Sequence, residues 1–391
     1  RFETIADCLA MVPVCTVASG SVAGLPASRF VASHFSVMVR SAALLTAGPQ
    51  IVSRALGYDA SKFELGGEQV HKNSGIPDNF AESEEDALAQ VRRFLSFLPS
   101  NVDEPPPRLR TDQPEDSPPD VAERLRHAIP MGRKESYDIR AVIGMLVDED
   151  RDDDDDDDEG RAAATGGATP GFFEMGTTDF GATQVTGLAR INGHTVAVMA
   201  NDNTVLGGAM TSDGADKVVK FLEFAQTFGL PVLALTDEPG FMIGIDAEKA
   251  GTIRRGTRAV LTAHKYPHPW CTLLVRRAYG VAAAAHFGPG GHVLSWPSAE
   301  TGTLPVESGV AVAFGKVIAA AENPDAKRAE LEAAFSGGLD PFPSAENFCV
   351  HDLIDPGETR GELCTWLRRM NSARMQRVRW GRRRRRSETG G

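Results

Sequence analysis

Between Thr195 and Val275 short apolar runs alternate with amphipathic ones, and this alternation restricts the chain to one class of fold. Thr195-Val-Ala-Val-Met-Ala200, Pro231-Val-Leu-Ala-Leu-Thr236 and Cys271-Thr-Leu-Leu-Val275 read as buried strands. Between them, Val218, Val219, Phe221, Leu222 and Ala225 share one broad helical face, and Thr252 to Ala263 reads as a second helix. Strand, helix, strand in succession predicts α/β layers. The opening segment repeats the plan: Val12 to Ala18 is strand-like, a Gly-containing turn comes next, then Ala27 to Val31.

The chain has 391 residues, enough for two domains. Residues 1–100 are patterned and apolar. Residues 101–132 are expected to be an extended linker, because Glu104-Pro-Pro-Pro107 and Asp112-Gln-Pro-Glu-Asp-Ser-Pro-Pro119 oppose helix and central strand. Residues 133–375 form a second patterned block, interrupted at 151–169 by an acidic insertion. Its aspartates, Asp152 to Asp158, repel one another and predict a solvated loop. Residues 376–391 are expected to be a basic disordered tail.

Net charge is -12, but much of it comes from the Asp152–Glu159 run, so bulk charge points to no partner, nucleic acid included. The Arg382–Arg386 run reads as a solvated tail. Cys8, Cys15, Cys271, Cys349 and Cys364 form no Cys-x-x-Cys pair, which argues against a zinc ribbon or disulfide framework and for a reducing compartment. The most apolar stretch, Cys8 to Ala27, is broken by Pro13, Ser19, Ser21 and Pro26, so no membrane span is expected.

Two short segments share a plan. Cys15-Thr-Val-Ala-Ser-Gly-Ser-Val-Ala-Gly-Leu25 and Leu273-Leu-Val-Arg-Arg-Ala-Tyr-Gly-Val-Ala-Ala283 each run from an apolar strand through a Gly turn into small residues. Such a turn aims consecutive backbone N–H groups at one spot, and a helix start behind it adds its dipole. That is the architecture of an oxyanion hole. A Gly at a strand–helix junction is also simply a turn, so either segment alone leaves both readings open.

Together these residues resemble the carboxyltransferase (β) subunits of biotin-dependent acyl-CoA carboxylases, the propionyl-CoA and methylcrotonyl-CoA carboxylase group. Leu188-Ala-Arg-Ile-Asn-Gly-His-Thr-Val-Ala-Val198, Thr236-Asp-Glu-Pro-Gly-Phe-Met-Ile-Gly244, Arg277-Ala-Tyr-Gly280 and Trp296-Pro-Ser-Ala-Glu300 are similar to successive family motifs. Asp340-Pro-Phe and His351-Asp-Leu-Ile-Asp355-Pro, with Thr359 and Arg360, resemble the closing segment. The first block resembles only the last part of the family's N-terminal domain, through Val12-Pro13, Gly20 to Gly24, His34-Phe-Ser-Val-Met-Val39, Thr46-Ala-Gly-Pro49 and Glu64-Leu-Gly-Gly67 with His71, Ser74 and Gly75. The chain is therefore expected to be N-terminally truncated.

The resemblance implies crotonase-like ββα repeats, one partial and one nearly complete domain. It implies carboxyl transfer from carboxybiotin to an acyl-CoA through an enolate held in an oxyanion hole. Biotin would arrive on a partner, since no Ala-Met-Lys-Met signature is present. Expected partners are biotin carboxylase and biotin carboxyl carrier subunits, in a homo- or hetero-oligomer, a hexamer by resemblance. No metal is expected, and the compartment implied is cytoplasmic, or the mitochondrial matrix or a plastid. By position Gly24 and Leu25 would serve the acyl-CoA enolate. Gly280, Val281 and Ala282 would serve biotin. Gly20, Ala23, Tyr279, Pro239, Gly240 and Phe241 would contact substrate. Three departures bear on this site. Leu25-Pro26 replaces the family's second Gly, and Pro26 cannot donate. Val281 stands where Gly is usual, and a β-branched residue resists positive φ. Leu304-Pro305 replaces Met-Gly. These changes keep open a catalytically impaired pseudo-subunit and a crotonase-type acyl-CoA decarboxylase.

Other candidates reduce to structure. His264-Lys-Tyr-Pro-His268 predicts a helix–strand turn, and Gly288-Pro-Gly-Gly291 lacks the Lys-Ser/Thr of a phosphate loop. His286 and His292 read as solvated loop histidines. Asp237 and Glu238 read as turn caps, with an active-site role as the alternative.

Overall fold

The computed structural model describes residues 2–132, 135–149, 169, 171–336 and 341–370. The acidic run at 152–159 and the tail at 376–391 lie outside them. The α/β expectation holds. A large mixed sheet is built from β6 (Phe172–Met175), β7 (Gln184–Ile191), β8 (His194–Asn201), β9 (Val232–Glu238), β10 (Trp270–Tyr279), β11 (His292–Ser295) and β13 (Asp352–Leu353). Its order is β13-β11-β10-β9-β8-β7-β6, and β12 (Glu300–Gly302) pairs with the far end of β10. The pairs β6–β7 and β7–β8 are antiparallel; the rest are parallel.

The first block makes two small parallel sheets. β1 (Cys15–Ala18), β3 (Phe35–Val39) and β5 (Asn79–Ala81) form one, in the order β1-β3-β5. β2 (Ser21–Ala23) and β4 (Ala43–Leu45) form the other. Each ββα turn thus gives one strand to each sheet before its helix. Gly66 lies so close beneath β4 that a Cβ there would stand 2.0 Å from the Leu44 carbonyl oxygen. His71 Nε2 is 2.8 Å from the same oxygen.

The predicted elements fall where patterning put them, with bounds shifted: the strand expected over Val12 to Ala18 is only Cys15–Ala18, and most others are longer than expected. The helix predicted from Val218 to Ala225 spans Ser212–Thr227, capped by Thr211 Oγ1 accepting from Gly214 N–H at 2.9 Å. The 252–263 helix spans Thr252–His264. His264 and His268 lie on either side of the predicted turn and contact separate carbonyls, Val260 and Gln226.

The 101–132 segment differs from the extended connection expected. Pro119–Arg126 is helical, with Pro119 in the first turn where its missing N–H costs nothing, and Leu125 is fully buried against Ile139, Ile143 and Trp366. One apolar core joins the blocks: Phe35 and Phe94 stack at 4.9 Å, and Phe94 and Phe224 lie 5.4 Å apart. Within the closing segment, Thr359 Oγ1 accepts from Trp296 Nε1 at 2.8 Å, and Arg360 pairs with Asp148 at 2.6 Å. The Thr-Arg of that motif opens the last helix among the described residues, 359–370, and ties it to the sheet.

Candidate active site: two glycine turns and a cleft

The two sequence segments become the same object. β1 pairs with β3 from Cys15↔Phe35 to Ala18↔Met38, and β10 pairs with β11 from Cys271↔His292 to Leu274↔Ser295. β2 pairs with β4 through Ser21, Val22 and Ala23; the end of β10 pairs with β12 through Arg277, Ala278 and Tyr279. Then comes a glycine at positive φ: Gly24 at +65° and Gly280 at +62°. A helix begins at each, Leu25–Val31 and Gly280–Ala283. Gly24 and Gly280 are 256 positions apart (280 − 24), and so are Cys15 and Cys271 (271 − 15). The register match is residue for residue.

Both turns are exposed. Leu25 and Val281, the residues after the glycines, are 52% and 61% exposed, so their side chains stand in solvent and leave the backbone accessible. Val281 is free of the strain expected for it: positive φ falls on Gly280, and Val281 is helical. A side chain at 280 would meet the Thr303 carbonyl oxygen at 3.3 Å. First-turn N–H groups have no acceptor within a helix, which leaves that of Val281 available on one side and that of Leu25 on the other; Ala282, implied as a second donor, is fully buried. Gly24 plays a different part from the donor role expected. Its N–H donates to the Leu45 carbonyl at 3.2 Å, so Gly24 supplies conformation.

The second turn borders a cleft of about 630 Å³, the size of a small-molecule site, lined among others by Tyr279, Pro239, Arg276, Arg277, Glu300 and Pro305. Tyr279 Oη donates to Glu300 Oε2 at 2.8 Å. Two expected contact residues sit elsewhere. Gly240 and Phe241 do not line this cleft. The Gly240 carbonyl accepts from Met210 N–H at 3.1 Å, and the Phe241 ring packs so tightly on the Thr252–His264 helix that a Cβ on Gly256 would lie 2.2 Å from it. Gly20 and Ala23 are exposed beside the first turn.

Beneath the cleft lies a buried ionic network that sequence reading missed. Asp237 is 1% exposed. It accepts from Arg276 Nη2 at 2.9 Å, Arg277 Nε at 2.6 Å and Tyr137 Oη at 3.0 Å. Burial works to raise its pKa, but the Arg277 and then the Arg276 guanidinium outweigh it and hold the carboxyl below its ordinary value. Burial, reinforced by the Asp237 charge, pushes the Tyr137 phenol well up, so it stays a donor. Glu238, also buried, accepts from Gly240 N–H at 3.0 Å and from Asn201 Nδ2 at 2.9 Å, which agrees with turn capping. His286 corrects the expectation of a solvated histidine. It is fully buried, with Nε2 3.4 Å from Glu238 Oε2. The only sequence signal for this network was the Arg276-Arg277 pair at the end of an apolar strand.

Among the described residues no group of three His, Cys, Asp or Glu side chains is placed to hold a metal ion, and no helix is long and apolar enough to cross a membrane.

Residues 2–386 match the carboxyl transferase domain. The chain is 30% identical over 380 residues to the propionyl-CoA carboxylase carboxyltransferase subunit of Haloferax mediterranei, covering 95% of this chain and 69% of that one. It is 29% identical to the methylmalonyl-CoA carboxyltransferase 12S subunit of Propionibacterium freudenreichii subsp. shermanii, over 91% of this chain and 64% of that one. Among solved structures, the transcarboxylase 12S hexamer with methylmalonyl-coenzyme A bound superimposes with a TM-score of 0.81 at 28% identity, covering 95% of this chain and 68% of that one. The chain thus spans about two thirds of the length of these relatives. The register-matched ββα turns are the crotonase-like repeats that the resemblance implied, and the chain belongs to the carboxyl transferase domain family.

Proposed function

We propose that this chain is the carboxyl-transfer component of a biotin-dependent acyl-CoA carboxylase. The observation that carries the reading is the pair of register-matched turns, each with a positive-φ glycine followed by an exposed first-turn residue, Leu25 or Val281, one of them at the rim of a cleft of about 630 Å³. Carboxybiotin, borne by a biotin carboxyl carrier partner charged by a biotin carboxylase, supplies the carboxyl group and the base for the acyl-CoA α-proton. The chain's own part is electrostatic. Leu25 N–H holds the thioester oxygen as negative charge develops on it, and Val281 N–H holds the biotin ureido oxygen. Each donor of this kind is worth about 10² to 10³ in rate. The cleft is large enough for biotin, and Gly280 leaves its approach clear of a side chain. The solved 12S relative is a hexamer, and a hexameric assembly is proposed here too. An aqueous, reducing compartment such as the cytoplasm fits the free cysteines.

A second reading has one observation in its favour. The first turn departs from the family pattern at an exposed position, because Pro26 brings no N–H there. A subunit impaired on its acyl-CoA side fits that departure. Carboxyl transfer from methylmalonyl-CoA to free biotin by the full-length gene product separates the two. Turnover supports the first reading. A folded protein that assembles with its partners but transfers nothing supports the second.

A further inference from the structure

Pairing between β9 and β10 runs unbroken from Trp270↔Val232 to Leu274↔Thr236, then resumes only at Ala278↔Glu238. In that gap β9 contributes one residue, Asp237, and β10 contributes three, Val275 to Arg277. β10 is therefore bulged, and a bulge re-aims the chain beyond it. The chain beyond this bulge carries Tyr279, Gly280 and the backbone of Val281 and Ala282.

A bulge of two extra residues leaves ladder groups without their strand partners. Asp237 replaces them with its side chain. Oδ1 accepts from the Arg277 backbone N–H at 3.1 Å and from Arg277 Nε at 2.6 Å. Oδ2 accepts from Arg276 Nε at 3.2 Å, Arg276 Nη2 at 2.9 Å, Arg277 Nη2 at 3.1 Å and Tyr137 Oη at 3.0 Å. Asp237's own N–H donates to Asn201 Oδ1 at 3.1 Å, which anchors it to β8. The outer ends of the network are fixed as well: Arg276 Nη1 donates to the Glu135 carbonyl at 2.7 Å, and Arg277 Nη2 to the Gly207 carbonyl at 2.8 Å. Arg276, Arg277 and Tyr279 all line the cleft.

In the first block the equivalent junction, Ser19-Gly20, is exposed and simply breaks the strand between β1 and β2.

We infer that Asp237 is a positioning residue for the biotin side of carboxyl transfer. Its carboxylate sets the course of β10 through the bulge and so fixes where Tyr279, in the cleft wall, and the Val281 N–H in the turn beyond it stand. This rests on the carboxyl-transfer reading above. Asp237 touches no reacting atom; it acts through β10.

The test is steady-state transfer from methylmalonyl-CoA to free biotin by the full-length gene product carrying Asp237→Asn or Tyr137→Phe. Asn keeps the shape but removes the charge and one acceptor. Phe removes one donor and leaves both guanidiniums paired. A displacement on the order of 1 Å at a reacting centre lowers rate by about 10²-fold. Asp237→Asn is expected to lose about that much in kcat/KM for biotin, with KM for methylmalonyl-CoA changed by less than about threefold. Tyr137→Phe is expected to lose several-fold in the same parameter, again sparing methylmalonyl-CoA. If Asp237→Asn does not fold, Tyr137→Phe decides. A folded variant with biotin kinetics equal to the parent's, or equal losses for both substrates, overturns the inference while leaving the carboxyl-transfer reading intact. A folded parent that transfers nothing overturns the reading itself, and this inference with it.

Discussion

The turn at Gly24 and the turn at Gly280 have one backbone design and two very different supports. The second sits at the end of a central strand, with β9 on one side, β11 and β12 on the other and a buried carboxylate in the bulge. The first comes after three-residue strands, and Phe30 is the one buried residue of the helix behind it. The lesson is that a turn of this design needs only a glycine at positive φ and a helix start to form. How firmly it is held, and how many N–H groups it offers, depends on residues that lie outside the motif.

The largest effect expected from this contrast is on stability. Asp237→Ala strands two guanidiniums that are 7% and 19% exposed, and removing one partner of a buried pair costs about 3–5 kcal/mol. Ser21→Ala changes the exposed counterpart of Arg277, whose hydroxyl accepts from Lys62 Nζ at 3.0 Å, and should stay within about 0.5 kcal/mol. Urea unfolding of both variants checks the difference, and equal costs would break the comparison.

Pro26→Ala comes next. It returns an N–H to the first turn at the place matching Ala282. Turnover of methylmalonyl-CoA should rise about 10²-fold, the low side of what one oxyanion donor contributes. Unchanged kcat would mean that the missing donor is not what separates the turns.

Glycine replacements act more gently. Gly280→Ala forces a Cβ into φ +62° with the Thr303 oxygen at 3.3 Å, and about 1–2 kcal/mol should be lost. Gly24→Ala meets the same backbone strain at φ +65° but nothing within 4 Å, and should fall at the lower end of that range. The order of the two midpoints in denaturant is the readout.

The smallest effect concerns how the first block is fastened to the second. His34 Nδ1 accepts from Val14 N–H at 3.1 Å, and its ring meets Phe228 at 4.9 Å. Burial, with the Lys220 charge adding to it, lowers its pKa from 6.5 to about 4. The unfolded chain therefore binds this proton first, and stability present above pH 6.5 is lost as pH falls toward 4. His34→Gln keeps an acceptor and removes the titration. Its unfolding free energy should fall less than the parent's between about pH 6.5 and about pH 4.5, and an identical slope would contradict the assignment.

The layers and both turns were legible in the sequence because they are local. Short apolar runs, a helical face and Gly before small residues all lie within a dozen positions of one another. The Asp237 network was not legible, because Tyr137 is 100 positions from Asp237 and the Arg pair about 40. Nothing in Thr236-Asp-Glu-Pro-Gly distinguishes a buried carboxylate inside a bulge from a turn cap. Pro119–Arg126 misled for a related reason: proline density argues against helix, but Pro in the first turn of one does not. His286 read as solvated because the Gly-Pro-Gly-Gly run that follows it hid the 3₁₀ turn, Ala284–His286, that carries it into the core.

The central claim is that the two turns are one device serving two substrates. Leu25 and Val281 mark the same position in each and are both exposed, so a tryptophan at either should leave the fold intact. The decisive measurement is KM for methylmalonyl-CoA and for biotin in Leu25→Trp and Val281→Trp. The account predicts that Leu25→Trp raises KM for methylmalonyl-CoA alone and Val281→Trp raises KM for biotin alone. Variants that shift both constants together, or neither, would contradict it.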